Sequence, residues 1–311
     1  MPAGPRATAE SLPITDVVID DEFWSPRIET NREVTITHQY DQLEANGCLE
    51  NFQRVVDAET GGFEGPMFID SDVYKWLEAA SYVLANYDDP DLRERVEDVI
   101  ELVATAQQDD GYLQTYFQLV EPNEKWTNLS VMHELYCAGH LLEAAVAHYH
   151  ATGEESLLDV ATALADHIDD VFGPNAQEGI PGHEEVELAL VKLYRATDEE
   201  RYLALAKYFL DARGRDLSPL ADELAHVDEI AGADFEHHGH TASDSARKHF
   251  LDDEGEYDGS YAQDHCPIRE QDTVEGHSVR AMYGYTGVTS LLQEIEDESL
   301  WTAMQRLWKN M

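Results

Sequence analysis

Lysine, cysteine and long apolar runs are what this chain has least of, and each scarcity excludes a class of protein. Among 311 residues there are 64 acidic side chains but only 20 basic ones, of which 6 are lysine, for a net charge of −44. Such a surface repels phosphates, which excludes a nucleic-acid partner. The three cysteines, Cys48, Cys137 and Cys266, lie far apart and form no Cys-x-x-Cys pair. An odd count without paired spacing points to reduced thiols in a cytosol. No apolar run approaches the roughly 18 residues of a membrane span, and Met1–Glu10 lacks a basic-then-apolar targeting pattern. The expectation is a soluble cytoplasmic protein with no membrane partner.

A dividing linker is missing too. No Pro/Gly/Ser-rich stretch separates the chain into halves, so one domain is expected. Hydrophobic residues, at 43%, suffice for a substantial core. The acids are scattered through segments that keep apolar stripes, unlike a disordered acidic tail. Many carboxylates with few lysines suit concentrated salt, where self-repulsion is screened within about 3 Å at 1 M. This is the reading of a halophile's protein.

What the chain does have is a recurring unit. Val186, Ala189, Leu190, Leu193 and Tyr194 form one helical stripe, Ala196-Thr-Asp198 turns the chain, and Tyr202, Leu205, Ala206, Phe209 and Leu210 repeat the spacing until Gly214. Similar pairs open at Asp72, His133 and His277; the partner of the first starts at Asp89-Pro90, a cap followed by proline at the first helical position. The second pair ends at Gly173-Pro174, and Glu298 to Trp308 completes the last. Four hairpins are expected, near 72–107, 132–172, 183–213 and 277–309. Repeated helix pairs stack into an array or close into a ring. The stretch 215–261 is acidic and without period, and reads as a mostly irregular surface insertion.

Three of the hairpins open on a histidine: His133, His183 and His277. If the pairs form a ring, these equivalent positions converge on a common cavity; the alternative is that each histidine caps its own helix. His133 and His140 are seven residues apart, not the four of His-Glu-x-x-His, so a zinc protease is not indicated. His237-His238-Gly-His240, with His249, reads as a solvated loop. Asp110 to Phe117 and Glu124-Lys-Trp126 offer aromatic rings with amides, a composition suited to carbohydrate, with Tyr112 or Trp126 near a rim. Equally, these rings could fill a hairpin interface.

Several of these segments together resemble one family. DSDVYKWLEA from Asp70, DGYLQTYF from Asp110, HELYCAGHLLEA from His133, GHEEVELALVKLYRAT from Gly182 and GHSVRAMY from Gly276 are similar to the β-L-arabinofuranosidases, glycoside hydrolase family 127. Phe23-Trp24-Ser-Pro-Arg27, Tyr261-Ala-Gln-Asp-His265 and Arg269-Glu-Gln271 fit as well, in the same order from about residue 17 onward. The resemblance implies an all-α fold of helical hairpins, here an incomplete (α/α)6 barrel spanning 17–311. It implies release of non-reducing-end arabinofuranose from glycans, with His133, His183 and His277 touching the sugar and Trp126 and Tyr112 beside it.

The family's reaction centre is a zinc-held cysteine nucleophile, with ligands from Glu-x-Cys and Cys-Cys motifs, and a separate glutamate acid/base in Gly-Glu-x-Phe. None of these motifs occurs here. In the family they follow the helix that here is Leu300 to Met311. No nucleophile, acid/base or metal ligand is therefore expected in this chain, and no cofactor of its own, although the complete family enzyme would hold zinc. The expected partners are a carbohydrate and a second chain or segment completing the barrel. Two other readings remain: a non-catalytic helical array binding a glycan or protein, and another α/α-barrel sugar enzyme. The latter would be an epimerase or unsaturated-glycan hydrolase working through His133, His183, Glu184 and His277.

Overall fold

Local chemistry sets the helix starts. Asp89 accepts a hydrogen bond from the Leu92 amide at 3.1 Å, and Pro90 begins the helix where its missing N–H costs nothing. Asp297 caps the last helix in the same way, accepting from Leu300 at 3.0 Å. The computed structural model describes residues 12–311 apart from Glu59, Pro174, Asn175, Asp216, Leu217, His238 and Asp253. The targeting reading of Met1–Glu10, the stop at Pro174 and the middle of the histidine loop lie outside the described residues.

The helices are, in chain order, α1 (Ser25–Thr30), a π-helical turn (Asn31–Thr35), α2 (Ile36–Ala45), α3 (Cys48–Val56), α4 (Asp70–Leu84), α5 (Pro90–Ala106) and α6 (Thr115–Leu119). There follow α7 (Glu134–Thr152), α8 (Ser156–Val171), α9 (Val186–Thr197), α10 (Glu200–Ala212), α11 (Pro219–Ala225), α12 (Ala242–Phe250), α13 (Ser278–Glu294) and α14 (Glu298–Asn310). The four expected hairpins are α4–α5, α7–α8, α9–α10 and α13–α14. Gly153 (φ 78°) and Asp198 (φ 60°) end α7 and α9 in the left-handed conformation that closes a helix.

Packing orders the helices in two layers. One runs α2, α4, α7, α9, α13; the other runs α3, α5, α8, α10, and each hairpin joins the two. The fold is thus all-α and barrel-like. The core lies between the layers, where the stripes read from sequence are buried: Val186, Ala189, Leu190 and Leu193 face Tyr202, Leu205, Ala206, Phe209 and Leu210. No described helix is long and apolar enough to cross a membrane.

Two stretches hold more helix than expected. Residues 25–56 add helices, with Ile36, Leu43 and Phe52 buried against α4 and its neighbours. The 215–261 insertion, mostly irregular as expected, is still not featureless. It holds α11, α12 and a two-residue hairpin pairing His237 with His240. Ser218-Pro219 caps α11, and Thr241 with Asp244 forms a capping box on α12. These stabilise short helices that hydrophobic period alone does not reveal. Glu223 of α11 accepts the amides of Leu129 and Ser130 (3.1 and 2.8 Å), tying the insertion to the loop that leads into α7.

Candidate functional site

The loops before α7 and α9 are sewn together by backbone. Gly182 donates its N–H to Leu129 O at 2.9 Å, and a Cβ on Gly182 would lie 2.3 Å from Ser130 O. Only glycine permits this approach, which brings His133 and His183 alongside each other. Buried Arg213 holds the same loop from below, donating to Pro181 O (2.6 Å) and Ala262 O (2.7 Å) and lying 3.4 Å from both Glu184 and Glu187. Arg280 of α13 donates to Gly182 O, which fixes α13 and its leading His277 against the same loop.

The result is a continuous row of imidazoles. Ring centroids of His133 and His183 are 5.8 Å apart, and those of His183 and His277 are 6.1 Å apart. All three are half-buried. Tyr136 packs on His183 at 4.6 Å, Tyr283 stands 5.8 Å from it, and Tyr261 lies 5.4 Å from His277. Tyr261 ends the 215–261 stretch, so the insertion contributes to the site's wall. Only His277 also caps its own helix, accepting from the Arg280 amide at 3.4 Å. His133 occupies the N-cap position of α7 at φ 60° without making a side-chain cap, so its ring is free to turn toward the row.

The electrostatics keep these rings neutral. Burial, with the Arg280 guanidinium nearby, lowers His133 to about 3. Burial, with His133 and Arg280 beside it, lowers His183 to about 2, and burial lowers His277 too. A neutral imidazole carries one donor and one acceptor, and its neighbours assign which is which. His133 Nδ1 faces Val131 O and His183 Nδ1 faces Glu184 O at 2.8 Å; carbonyls only accept, so both Nδ1 atoms hold the proton and both Nε2 atoms are acceptors. His277 Nδ1 accepts from an amide, so its Nε2–H is a donor. The row therefore offers two acceptors and one donor, a set that can pair with hydroxyls, which both donate and accept.

Tyr112 and Trp126 are placed elsewhere. Both are buried, at 0% and 6% exposure, so neither forms the rim expected of it. Tyr112 packs edge-on against Trp126 at 5.3 Å and donates to Glu134 at 2.6 Å, while the Trp126 amide donates to the other oxygen of Glu134 at 2.9 Å. These rings fill the hairpin interface. Their link to the site is indirect: Glu134, the residue after His133, is clamped by both. Burial raises Glu134 to about 8, so it sits there largely protonated near neutral pH. Glu184, which sequence reasoning could have read as catalytic, is buried against Arg213 rather than open to the row, and burial raises it to about 7.

The cysteines do not assemble a metal centre. Cys137 is buried in α7 with its thiol toward Phe68 O, Cys48 is buried in α3, and Cys266 is partly exposed. Among the described residues, the group of His, Cys, Asp and Glu whose ligand atoms come within 4.8 Å of one another is His140, Glu143 and Glu185. It contains no thiolate, so these residues do not fit the zinc–cysteine centre that the family resemblance implies. His240 is exposed, in keeping with a solvated loop.

The chain matches the family model "Beta-L-arabinofuranosidase, GH127 catalytic domain" over residues 16–311. It is 40% identical over 321 aligned residues to the non-reducing end β-L-arabinofuranosidase of Bifidobacterium longum subsp. longum, covering 95% of this chain and 46% of that protein. The crystal structure of a GH127 β-L-arabinofuranosidase from Geobacillus stearothermophilus T6 superposes with a TM-score of 0.84 at 41% identity, over 94% of this chain and 45% of that one. A second solved GH127 β-arabinofuranosidase gives 0.79 at 35% identity, over 96% and 43%. The chain thus spans about half the length of the relatives it matches. On this similarity, and on the all-helical barrel-like fold, the chain belongs to the GH127 β-L-arabinofuranosidase catalytic-domain family.

Proposed function

We propose that this chain supplies the sugar-holding part of a β-L-arabinofuranosidase-type glycoside hydrolase. His133, His183 and His277 bind the non-reducing-end arabinofuranose. The observation that carries this reading is the unbroken row of three neutral imidazoles presenting two acceptors and one donor. Neutral rings hydrogen-bond hydroxyls without attracting the counter-ions that imidazolium would. The aromatic faces of Tyr136 and Tyr283 flank them and suit the C–H faces of a furanose.

Holding a sugar is not hydrolysing it. Cleavage needs a nucleophile and a proton donor on either side of the anomeric carbon. No described residue of this chain is assigned either role, and a second chain or segment carrying the Glu-x-Cys, Cys-Cys and Gly-Glu-x-Phe motifs completes the enzyme. The apolar hollow of about 450 Å³ beside α14, lined by Tyr285, Trp301, Met304, Leu307 and Trp308, supports such completion, since Trp308 is 75% exposed.

The test is binding and turnover by the purified 311-residue chain. It should bind an alkyl β-L-arabinofuranoside, detected by saturation-transfer NMR, and His183→Ala should weaken binding at least about tenfold, equivalent to about 1.4 kcal/mol. It should not hydrolyse an aryl β-L-arabinofuranoside unless co-expressed with the missing motifs. Absence of sugar binding, or brisk hydrolysis by the chain alone, overturns the proposal.

The setting we propose is a reducing, salt-rich cytoplasm, supported by the net charge of −44 and by three free cysteines. The melting temperature should then rise between about 0.1 M and 2 M KCl as repulsion is screened. A flat or falling curve rejects the halophile reading.

A further inference from the structure

Two turns along α7 from His133, the helix turns a second set of polar groups toward α9. His140 and Glu143 of α7 meet Glu185, which precedes α9, at 3%, 7% and 0% exposure. His140 Nδ1 lies 3.7 Å from Glu185 Oε1 and 3.9 Å from Glu143 Oε2. Both ring nitrogens of His140 and both oxygens of Glu185 are buried and find no hydrogen-bond partner among the described residues. Buried polar atoms are normally satisfied, so an unpartnered His140 Nδ1 facing the unpartnered carboxylate of Glu185 indicates something that belongs between them. Glu143 offers a carboxylate oxygen within 4.8 Å of one of Glu185, and two ionised carboxylates that close repel unless a positive charge or a proton separates them.

The backbone is cut to admit this arrangement. A Cβ on Gly139 would fall 1.4 Å from Glu185 Oε2, so the carboxylate occupies the space that any other residue at 139 would fill. Lys192 engages Glu143 through Oε1, which leaves Oε2 turned toward His140. The rings of Tyr136 and Tyr283, 4.5 and 6.0 Å from His140, wall off the group on the side of the histidine row.

We propose that His140, Glu143 and Glu185 bind a divalent transition-metal ion, zinc being the best fit, at a site separate from the family's zinc–cysteine centre. Zinc takes imidazole nitrogen and carboxylate oxygen at about 2.0–2.2 Å, which in a tetrahedron sets ligands about 3.4 Å apart. The observed 3.7 and 3.9 Å need close by only a few tenths of an ångström. A nitrogen with two carboxylates does not suit calcium or magnesium, which take six or more oxygens. Three protein ligands leave a fourth position for water. The ion would bind α7 to the start of α9, and so steady His183, two residues before Glu185. This inference stands apart from the sugar reading and fails separately from it.

The experiment is equilibrium dialysis of the purified chain against Zn²⁺ alone in about 1 M KCl, where diffuse attraction to the acidic surface is screened. One saturable equivalent is expected. Glu185→Gln and His140→Asn should each weaken it at least about tenfold with unchanged helical circular dichroism, while His240→Asn in the exposed hairpin should retain it. If either variant fails to fold, Co²⁺ substituted into the parent chain should give a visible absorption band that Glu143→Gln removes. No saturable equivalent, several weak ones, or an equivalent indifferent to Glu185→Gln, His140→Asn and Glu143→Gln overturns the proposal.

Discussion

Two clusters in this molecule are made of the same residue types and do opposite things. The Tyr112–Trp126–His167 cluster leaves little unspent. Trp126 Nε1 donates to His167 Nε2 at 3.1 Å, His167 Nδ1 donates to Asp110 O at 2.9 Å, and Glu134 takes both the Tyr112 hydroxyl and the Trp126 amide. The His133–His183–His277 cluster uses one nitrogen of each ring and keeps the other. Both set histidine among aromatic rings, with one histidine in the first cluster and three in the second; hydrogen-bond satisfaction is what separates them. A cluster that has consumed its own polar atoms is scaffold, and one that has not is the place to look for a ligand.

That contrast can be broken most forcefully by truncating the scaffold. Tyr112→Ala removes a fully buried ring and strands the Glu134 carboxyl, and should cost about 3–5 kcal/mol of stability in urea unfolding. A loss below about 1 kcal/mol would mean that the cluster carries little of the fold.

The pH dependence sharpens the comparison, because adjacent residues pull in opposite directions. Burial lowers His133 to about 3, below the 6.5 of a free imidazole; the unfolded chain therefore binds the extra proton, and stability falls as pH drops from 6.5 toward 3. Burial raises Glu134 to about 8, above the 4.5 of a free carboxyl; the folded chain holds the extra proton, and stability falls as pH climbs from 4.5 toward 8. Taken as a pair, the two contributions cancel between 4.5 and 6.5; outside that window Glu184 and Glu223, also raised by burial, add to the alkaline limb, and His140 and His183, also lowered by burial, add to the acid limb. Each group adds a slope of about 1.4 kcal/mol per pH unit between its two pKa values. Glu134→Gln should reduce the slope of the alkaline limb in urea titrations by one group's share and leave the acid limb standing; an unaltered alkaline limb would assign that proton elsewhere.

The smallest stability effect belongs to the histidine row. His183→Ala, proposed above to weaken sugar binding, should cost only about 1 kcal/mol in the same urea experiment, since the ring is half-buried and spends one hydrogen bond. A cost near that of Tyr112→Ala would make the row structural.

Much of the barrel was legible because its helices advertise themselves. The stripes of α9 and α10, the Asp89-Pro90 start and the Gly214 stop are local signals, and each marks the boundary found. The helices of residues 25–56 were not read, since α2 buries only Ile36 and Leu43 and has no side-chain cap at its start. In the insertion, Ser218-Pro219 and Thr241 with Asp244 are local caps, but the helices they open are only 7 and 9 residues long, too short for a clear hydrophobic period.

The sequence by itself determined the hairpin helices, their pairing, the charge and the family, because these rest on spacing along the chain and on motifs a few residues long. It also placed three histidines at equivalent hairpin starts. Only the tertiary structure decided that these three meet, that Tyr112 and Trp126 turn inward to clamp Glu134, and that His140, Glu143 and Glu185 face one another. Those outcomes depend on contacts between segments tens of residues apart, such as Gly182 against Ser130 and Glu185 in the notch at Gly139. Satisfaction of a buried polar atom is a property of its neighbours in space, and the chain order does not record them.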